Sequence, residues 1–254
     1  MRKVEQQSTL AEQRGANGPS PIAPSQHGER EVSAALGGTS LRRNEQGLAL
    51  VGDGMVLRGD FSQLLPRIRK GRLSSELLVR AAKVRDCAEP WAIDATAGLG
   101  EDSFLLAAAG FRVSMYESDP TVAALVRDAL NRAQANPDLA DIACRMELFE
   151  EDSIEAMSHL GDTPDVIYLD PMFPERRKSA AVKKKFQLIH HLEAPCQNEG
   201  ALLAAAISAG PRKVVVKRPA KGPHLAGVKP SHSLVGKAVR YDVIIPASIK
   251  VPLA

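Results

Sequence analysis

The sharpest chemical signal in the sequence is the stretch VIYLDPMFP, at residues 166–174. Its first half is a continuous apolar run, typical of a strand that is buried on both faces. Asp170 would then stand at the carboxyl end of that strand, where open parallel sheets bind their ligands. Asp170 and the carbonyl of Pro171 could accept the two hydrogens of an exocyclic base amine, and Phe173 could stack on the base. The alternative is a strand-ending turn without chemistry, because aspartate and proline are common in turns.

A glycine-rich turn lies earlier, in WAIDATAGLG at residues 91–100. Asp94 closes an apolar strand, and Gly98 and Gly100 follow where the chain turns into a helix. Glycine tolerates positive φ angles and lets a ligand approach the backbone, while the start of the helix offers free N–H donors. Glu117 ends the next strand and could accept hydrogen bonds from both hydroxyls of a bound ribose. We therefore expect a nucleotide-like cofactor here, either a dinucleotide or S-adenosylmethionine.

Two details favour S-adenosylmethionine over a dinucleotide. The dinucleotide fingerprint requires a third glycine, and Ser103 occupies that place. The helix also begins with Glu101 and Asp102, which would repel a pyrophosphate but tolerate a cationic sulfonium. Asp152 and Ser153, after the third strand, are placed to reach an adenine edge, although an acidic helix N-cap explains them equally well. An ordinary glycine turn is the alternative for the whole stretch, since isolated glycine motifs are weak signals.

These residues need a scaffold that brings strand ends together, and the sequence predicts one. From Trp91 onward, short apolar strands alternate with helices, a pattern typical of a parallel sheet with helices on both faces. The chain ends in two strands without a helix between them, which predicts a terminal hairpin that adds an antiparallel edge strand. The predicted strands are 92–95, 112–117, 143–149, 166–170, 213–217, 233–235 and 239–245, and the predicted helices are 101–109, 121–135, 153–159 and 185–209.

The N-terminal part of the chain is organised differently. We divide the sequence into a disordered tail at residues 1–28, a small N-terminal subdomain at 29–70 and the main domain at 71–254. The tail is rich in polar residues, glycine and proline, and it cannot bury enough apolar surface to fold. In the subdomain, residues 29–36 could form a short helix, and Asp53-Gly54 between apolar runs predicts a β-hairpin over residues 48–57. A helix of the main domain is expected to open at Ser74.

Basic residues are unevenly distributed, although the net charge is only +3 and the sequence pI is about 8.8. One basic stretch precedes the helix at Ser74, and others follow the strand at 166–170 or flank the strand at 213–217. We expect them to form a positive rim at the carboxyl edge of the sheet, as a phosphate-backbone ligand requires. For the first stretch, a solvated loop is an equally good explanation. The residues concerned are Arg67–Arg72, Arg176–Lys178, Lys183–Lys185, Arg212, Lys213, Lys217, Arg218 and Lys221.

Composition argues against several other classes of protein. The three cysteines are far apart and form no CxxC pair, so neither a disulfide framework nor a metal site is expected. No apolar run reaches the ~20 residues of a membrane span, and the N-terminus lacks the apolar core of a signal peptide. We therefore expect a cytoplasmic protein. With six Phe, three Tyr and one Trp, an extended platform for stacking single-stranded nucleic acid is not expected.

Several of these segments resemble one known family. DATAGLGEDSFLLAAAG, VIYLDPMFP and VVVKRP, within residues 48–246, are similar to the RsmJ family of bacterial small-subunit (16S) ribosomal RNA guanine-N2 methyltransferases. The resemblance implies a class I methyltransferase fold, which is Rossmann-like, with a mostly parallel seven-stranded sheet and an antiparallel edge strand. It also implies S-adenosylmethionine as the methyl donor and a guanine near the 3′ end of the small-subunit RNA as the substrate. The cofactor contacts that it implies are Glu101, Asp102, Glu117, Ser118, Asp152, Ser153 and Asp170.

The main hypothesis is an enzyme that methylates a guanine N2 amine in ribosomal RNA. In it, Asp170 positions the amine, Phe173 stacks on the base and Glu117 holds the ribose. A base-amine methyltransferase acting on another nucleic acid, for example at adenine N6, is also allowed by the motif alone. A third hypothesis is an RNA-binding protein that keeps the fold without turnover, and a nicotinamide-dependent dehydrogenase is the most distant one. None of these observations fixes the oligomeric state.

Overall fold

The computed structural model describes residues 30–36, 39–52, 54–172 and 198–248, and these residues form two β-sheets. The smaller sheet is N-terminal, and its four strands pair with one another in chain order as antiparallel neighbours. Its last two strands form the expected hairpin, with Leu50 opposite Leu57. The β-structure expected for the N-terminal subdomain is therefore confirmed. The strands are β1 (Arg30–Leu36), β2 (Thr39–Asn44), β3 (Gly47–Gly52) and β4 (Met55–Leu57).

The larger sheet has seven strands. They are β5 (Trp91–Asp94), β6 (Arg112–Tyr116), β7 (Met146–Phe149), β8 (Val166–Leu169), β9 (Lys213–Pro219), β10 (His232–Val235) and β11 (Val239–Ile244). Their order in the sheet is β10-β11-β9-β8-β5-β6-β7. All pairings among β5 to β9 are parallel, whereas β11 pairs antiparallel with both β9 and β10. The mostly parallel sheet and the antiparallel hairpin at its edge are thus confirmed.

Helices cover both faces of the larger sheet. In the described part of the chain they are α1 (Leu65–Ile68), α2 (Leu77–Ala82), α3 (Glu101–Ala108), α4 (Pro120–Gln134), α5 (Ala140–Ala143), α6 (Ser153–Ser158) and α7 (Glu199–Ser208). One face of the sheet shares a core with α2, α3 and α4, in which Phe104 and Val126 pack with Val113. The other face packs against α6 and α7, through Met157 and Leu203. The central strands are buried on both sides, which explains their continuous apolar sequences.

Local signals set the starts of two helices that lead away from strand ends. Asp119 accepts hydrogen bonds from two backbone N–H groups of the first turn of α4, at 2.8 and 2.9 Å. Pro120 is the first residue of that helix, a position that tolerates its missing N–H. Asp152 caps α6 in the same way, accepting from the N–H of Ile154 at 2.7 Å. Both capping aspartates lie at the carboxyl edge of the larger sheet, just after β6 and β7.

One predicted element has the wrong type. The helix expected over residues 29–36 is strand β1, which pairs antiparallel along β2, with Glu31 opposite Arg42. Residues in a short segment can satisfy their backbone groups within a helix or across a strand pair. Here a neighbouring strand is available, and pairing with it replaces the local hydrogen bonds of a helix.

Other differences concern boundaries. The strand predicted over 143–149 begins only at Met146, because Ala140–Ala143 forms α5. Helix α2 begins at Leu77, after a short 3-10 turn over Leu73–Ser75. The predicted tail at residues 1–28 and much of the predicted helix over 185–209 lie outside the described residues.

The two sheets are joined through α4. Asp128, buried on α4, accepts a hydrogen bond from the backbone N–H of Leu48 in β3 at 3.0 Å and from Arg132 Nε at 2.8 Å. Its other oxygen pairs with Arg43 of β2. Burial alone would raise the pKa of Asp128, but these hydrogen bonds lower the pKa below its ordinary value. Leu125, also on α4, packs against the apolar face of the small sheet, so apolar and ionic contacts together fix the subdomain.

Asp128→Asn should therefore loosen the small sheet. An amide cannot accept hydrogen bonds from both arginines and the Leu48 N–H, so we expect the free energy of unfolding to fall by about 1–3 kcal/mol. Urea denaturation measures this change. The matched control is Arg127→Gln on the same helix, because Arg127 and Glu150 form an exposed pair, with side chains 50% and 38% exposed. That loss should cost less than about 1 kcal/mol, and equal losses in the two variants would contradict the anchoring role of Asp128.

Candidate active site

The carboxyl ends of β5, β6, β8 and β9 meet at one edge of the larger sheet, where several predicted site residues gather. After β5, Gly98 and Gly100 have φ angles of 51° and 74°, in the left-handed region that favours glycine. The Gly98 N–H donates to Glu117, which follows β6, at 3.0 Å. The N–H of Asp170, which follows β8, donates to Thr96 Oγ1 at 2.7 Å. Two hydrogen bonds thus tie the glycine turn to both predicted acids.

Glu117 is built to accept hydrogen bonds. Its side chain is buried, and burial raises its pKa. Oε2 accepts from Gly98, and Oε1 accepts from the N–H of Asp119 at 2.8 Å. Each carboxylate oxygen has more than one lone pair, so each can accept another hydrogen bond from a ligand. Two hydroxyls on neighbouring carbons, as in a ribose, match this capacity.

Asp94 fixes the shape of the glycine turn from inside. Its side chain is 1% exposed and accepts hydrogen bonds from the N–H of Thr96 at 3.1 Å and from the Ser103 hydroxyl at 2.5 Å. Burial raises the pKa of Asp94 from its ordinary value of 3.8 to about 7. The two hydrogen bonds join the end of β5 to the first turn of α3. Its expected contact with a cofactor stays a prediction.

Lys217 lies at the centre of the site, although its sequence position placed it on the positive rim. Its Nζ is 2.7 Å from Asp102 Oδ2 and 2.8 Å from Asp170 Oδ2. Burial alone would lower the pKa of Lys217, but the charges of the two carboxylates raise it well above its ordinary value. Lys217 therefore neutralises acids inside the site, and its expected place on the rim was wrong.

Strand register explains the position of Lys217. Leu169 of β8 pairs with Val216 of β9, so the next residues, Asp170 and Lys217, stand side by side. Tyr241 of β11 pairs with Lys217 from the other side. The run VVVKRP alone indicates only a strand with a charged end. The signal that could have found Lys217 is the pairing of β8 with β9, which places their carboxyl ends next to each other.

Asp170 keeps one carboxylate oxygen for a ligand. Lys217 binds Oδ2, and within the described residues no hydrogen bond occupies Oδ1. The side chain is 38% exposed, so a ligand can reach it. Burial raises the pKa of Asp170, and the charge of Lys217 opposes that effect. The site therefore presents an oriented acid whose ionised form is supported by its neighbour.

Asp102 is held by a second partner. It accepts a hydrogen bond from the Tyr168 hydroxyl at 2.6 Å, in addition to its ion pair with Lys217. Burial raises the pKa of Tyr168 well above its ordinary value, so the hydroxyl keeps its proton and donates it. Burial likewise raises the pKa of Tyr241. Tyr168 and the first turn of α3 are thus joined by a hydrogen bond at one wall of the site.

The rest of the expected positive rim is confirmed only in part. Arg212 and Lys213 stand at the beginning of β9, which is the amino edge of the sheet, and Arg212 pairs there with Asp165 at 2.9 Å. Arg218 is buried and pairs with Glu199 of α7 at 3.1 Å. Because a parallel strand begins at the amino edge, the predicted strand at 213–217 already places Arg212 and Lys213 away from the site. The exposed members of the expected rim on the site's side of the sheet are Arg69, Lys70, Arg72 and Lys221.

Other predicted site residues are less closely tied to this centre. Asp152 caps α6 and Ser153 is the first residue of that helix, at the end of β7. Ser118 is exposed beside Glu117, and Glu101 is exposed at the start of α3. Their contacts with a cofactor stay predictions. Phe173 and the basic residues at 176–178 and 183–185 lie outside the described residues.

Some kinds of site are not found in the described part of the chain. No group of three or more His, Cys, Asp and Glu side chains is arranged there to hold a metal ion. Cys87 and Cys144 are free thiols. Among the helices of the described ranges, none combines the length and apolar character needed to cross a membrane.

Comparison with known proteins places this arrangement in a family. A family model described as a SAM-dependent methyltransferase matches residues 38–246. A relative from Neisseria meningitidis serogroup C, named ribosomal RNA small subunit methyltransferase J, is 44% identical over 202 residues, which are 78% of this chain and 80% of the relative. A relative of the same name from Stutzerimonas stutzeri is 47% identical over 171 residues, which are 67% and 66% of the two chains. The chain belongs to the RsmJ family.

A solved structure supports the same conclusion for the fold. The crystal structure of a SAM-dependent methyltransferase from Neisseria gonorrhoeae is similar to this chain with a TM-score of 0.69 and 35% identity, covering 86% of this chain and 88% of that chain. The class I methyltransferase fold expected from the sequence is confirmed. The cofactor of this RsmJ-family protein is S-adenosylmethionine, so the preference for it over a dinucleotide is also confirmed.

The residues at the carboxyl edge fit this cofactor. S-adenosylmethionine carries a ribose diol, which matches the acceptor capacity of buried Glu117. It also carries a sulfonium cation, and the acids that open α3, Glu101 and Asp102, favour a cation and disfavour a phosphate. The turn at Gly98 and Gly100 exposes backbone to a ligand without side chains in the way.

Asp94 should make stability depend on pH. Because its pKa is raised in the folded state, to about 7 from 3.8, folding takes up a proton between these values, and stability falls as pH rises through them. Asp94→Asn keeps the acceptor for Thr96 and can donate to Ser103, so this loss should disappear. We expect the unfolding free energy of the variant, relative to the parent, to rise by up to about 1.4 kcal/mol per pH unit in this window.

Urea denaturation at several pH values between 4 and 8 tests this expectation. The control is Asp138→Asn, which makes the same chemical change at an exposed aspartate outside the site. A difference between Asp94→Asn and the parent that stays constant with pH would contradict the raised pKa of Asp94.

Lys217→Met should impair catalysis more than cofactor binding. Without the lysine, two carboxylates face each other in a buried site, and the pKa of Asp170 rises further. When the pH is lowered, activity that needs ionised Asp170 then declines at a higher pH than in the parent. We expect turnover near neutral pH to drop by about 10- to 100-fold, with the acid limb of the pH–rate profile shifted upward.

Steady-state methyl transfer across pH, together with calorimetric cofactor binding, separates these effects. Lys217→Arg keeps the charge and should restore part of the activity and the original acid limb. Lys229→Met removes an exposed lysine between β9 and β10. It should change neither the activity nor the acid limb. An unshifted acid limb in Lys217→Met would show that the lysine does not support the ionised state of Asp170.

Proposed function

We propose that this protein transfers a methyl group from S-adenosylmethionine to the exocyclic N2 amine of a guanine in small-subunit (16S) ribosomal RNA. The observation that carries the proposal is the placement of Asp170 at the end of buried β8, with Lys217 on one oxygen and the other oxygen available. The name of the relatives, ribosomal RNA small subunit methyltransferase J, supports ribosomal RNA as the substrate. Because ribosomes are assembled in the cytoplasm, we place the activity there.

The amine must be activated, since its lone pair is delocalised into the base and makes it a poor nucleophile. Asp170 Oδ1 and the carbonyl oxygen of Pro171 accept its two hydrogens, which favours a pyramidal nitrogen with its lone pair directed at the methyl group. Lys217 supports the ionised form of Asp170 that this acceptor role requires. As the new N–C bond forms, the nitrogen releases a proton, for which Asp170 is the nearest base.

The target base reaches the site from beyond the carboxyl ends of the strands. A guanine has to leave its stack to reach Asp170, at a cost of a few kcal/mol. Phe173 stacks on the extruded base and fixes its plane. The N–H of Asp170 is bound to Thr96 and its Oδ2 to Lys217. Asp170 therefore cannot shift to accept a base in another position. Rate enhancement by alignment therefore suits this site.

The other proposed contacts hold the cofactor. When bound, S-adenosylmethionine supplies a methyl group on a positively charged sulfur, which leaves as a neutral thioether. Glu117 accepts hydrogen bonds from the ribose hydroxyls, and the end of β7 meets the adenine edge through Asp152 and Ser153. The proposed cofactor-binding residues are Asp94, Gly98, Gly100, Glu101, Asp102, Glu117, Ser118, Asp152, Ser153 and Asp170.

Asp170→Ala should abolish most of the methyl transfer, because it removes an acceptor for the amine. We expect a loss of roughly 100-fold or more at saturating cofactor. The measurement is transfer from labelled S-adenosylmethionine to unmodified small ribosomal subunits and to naked ribosomal RNA, followed by nucleoside digestion and mass analysis. Asp138→Ala, an exposed aspartate on the loop after α4, is the control and should retain parent activity.

The labelled nucleoside decides between the candidate substrates. N2-methylguanosine made by the parent and lost in Asp170→Ala would support the proposal. Label in N6-methyladenosine would contradict the choice of guanine while keeping an amine methyltransferase. No label on either substrate, despite measurable cofactor binding, would contradict the proposed enzyme and favour an RNA-binding protein without turnover.

A further inference from the structure

Some exposed cations on the site's side of the sheet have no ion pair among the described residues. They belong to three separate segments: the loop before α2, the loop after β9 and the turn between β10 and β11. The sequence pointed to the first two segments but not to the turn. We call these residues the basic face, and they are Arg69, Lys70, Arg72, Lys221 and Lys237.

The β10–β11 turn contacts the loop after β9 and the start of α2. The N–H of Ala220 donates to the carbonyl of Ala238 at 2.9 Å, which places Lys221 and Lys237 one residue away on each side. Gly236, in the same turn, packs so closely on the start of α2 that an added Cβ would lie 2.8 Å from Leu77 Cδ1. The β10–β11 turn therefore bridges the loop after β9 and the segment that carries the arginines.

The loop before α2 is held in one shape. Arg67 forms a two-pronged ion pair with Glu76, with both N–O distances 2.9 Å. Between them, the N–H of Arg72 donates to the carbonyl of Arg69 at 2.9 Å, and the Ser75 hydroxyl donates to the carbonyl of Arg72 at 2.6 Å. The cations at the tip are thus presented on a closed turn, which reduces the entropy that they lose when they bind.

The basic face borders the active site. Lys221 follows β9, the strand that carries Lys217. Lys237 precedes β11, whose Tyr241 pairs with Lys217. Inside the site, Lys217 offsets part of the charge of Asp102 and Asp170, whereas the cations of the basic face have no ion pair within the described ranges. An anionic chain would therefore be attracted to the face.

We propose that the basic face binds the phosphate backbone of the RNA strand next to the target nucleotide and so delivers the base to Asp170. The proposal rests on the proposed function for its ligand, since it assumes that RNA is the substrate. Contacts with phosphates fix the position and direction of a strand without reading its sequence. The face therefore supplies affinity and register, and the choice of base stays with the pocket.

The test removes the three cations of the loop together, as Arg69→Gln, Lys70→Gln and Arg72→Gln in the full-length chain. The control removes three cations at the amino edge, as Lys83→Gln, Arg85→Gln and Arg112→Gln, and it changes the net charge equally. All three control residues are exposed, and they precede or begin strands β5 and β6. A third variant combines Lys221→Gln and Lys237→Gln, to test whether the turn belongs to the same face.

The measurement is the dissociation constant of unmodified small-subunit ribosomal RNA over a series of KCl concentrations. Each lost phosphate contact should reduce the slope of log K against log[KCl] by roughly 0.7–0.9, so the loop triple should lose about 2.1–2.7. The Lys221 and Lys237 double variant should lose about 1.5. Cofactor binding should be unchanged in every variant, which shows that the fold and the pocket are intact.

The outcomes separate this proposal from the proposed function. Equal slopes in the loop triple and the amino-edge control would overturn the basic face, even if the parent methylates RNA. In another outcome, the parent binds RNA, with the salt slope reduced only in the basic-face variants, and yet transfers no methyl group. That result would support the basic face and contradict the proposed methyltransferase activity. A parent without measurable RNA affinity at low salt would overturn the basic face as well.

Discussion

The site depends on one lysine between two carboxylates. Lys217, on β9, lies within 2.8 Å of both Asp102 and Asp170, and so links α3, β8 and β9 at the point where their ends meet. Without the cation, two acids would face each other in a partly buried space. Removing one member of a buried ionic group leaves charge that neither water nor a partner compensates. The same contact thus stabilises the edge of the sheet and, among the described residues, leaves Oδ1 of Asp170 without a hydrogen bond.

The pocket and the basic face have different electrostatic roles. Lys217 offsets part of the negative charge of the site, so the pocket repels a polyanion less than its acids alone would. Attraction comes from the cations of the basic face, which have no ion pair in the described part of the chain. Their loops are held by backbone hydrogen bonds and by the Arg67–Glu76 pair. A pocket for a cationic cofactor and a face for an anionic polymer can then lie side by side. Lys217 offsets part of the charge of the pocket acids, so these acids repel the polymer less.

The N-terminal subdomain contributes to this arrangement through the segment that follows β4. Asp128 anchors the small sheet to α4, and the segment after β4 then crosses to α3, where Phe61 stacks on Phe104 with ring centroids 5.0 Å apart. Phe61 also packs against Gly100 of the glycine turn. From there the chain enters the loop of the basic face. The small sheet therefore fixes the direction from which this loop reaches the site.

The sequence by itself determined the elements whose signals are local. Buried parallel strands read as apolar runs, glycine marks the turn at Gly98 and Gly100, and Asp119 marks a helix start. These signals also predicted Asp170 and Glu117 at strand ends. Only the tertiary structure decided that residues 30–36 form a strand and that Lys217 belongs to the site. Each of these depends on which distant strand lies alongside, and packing of the whole sheet, not the local sequence, sets that pairing.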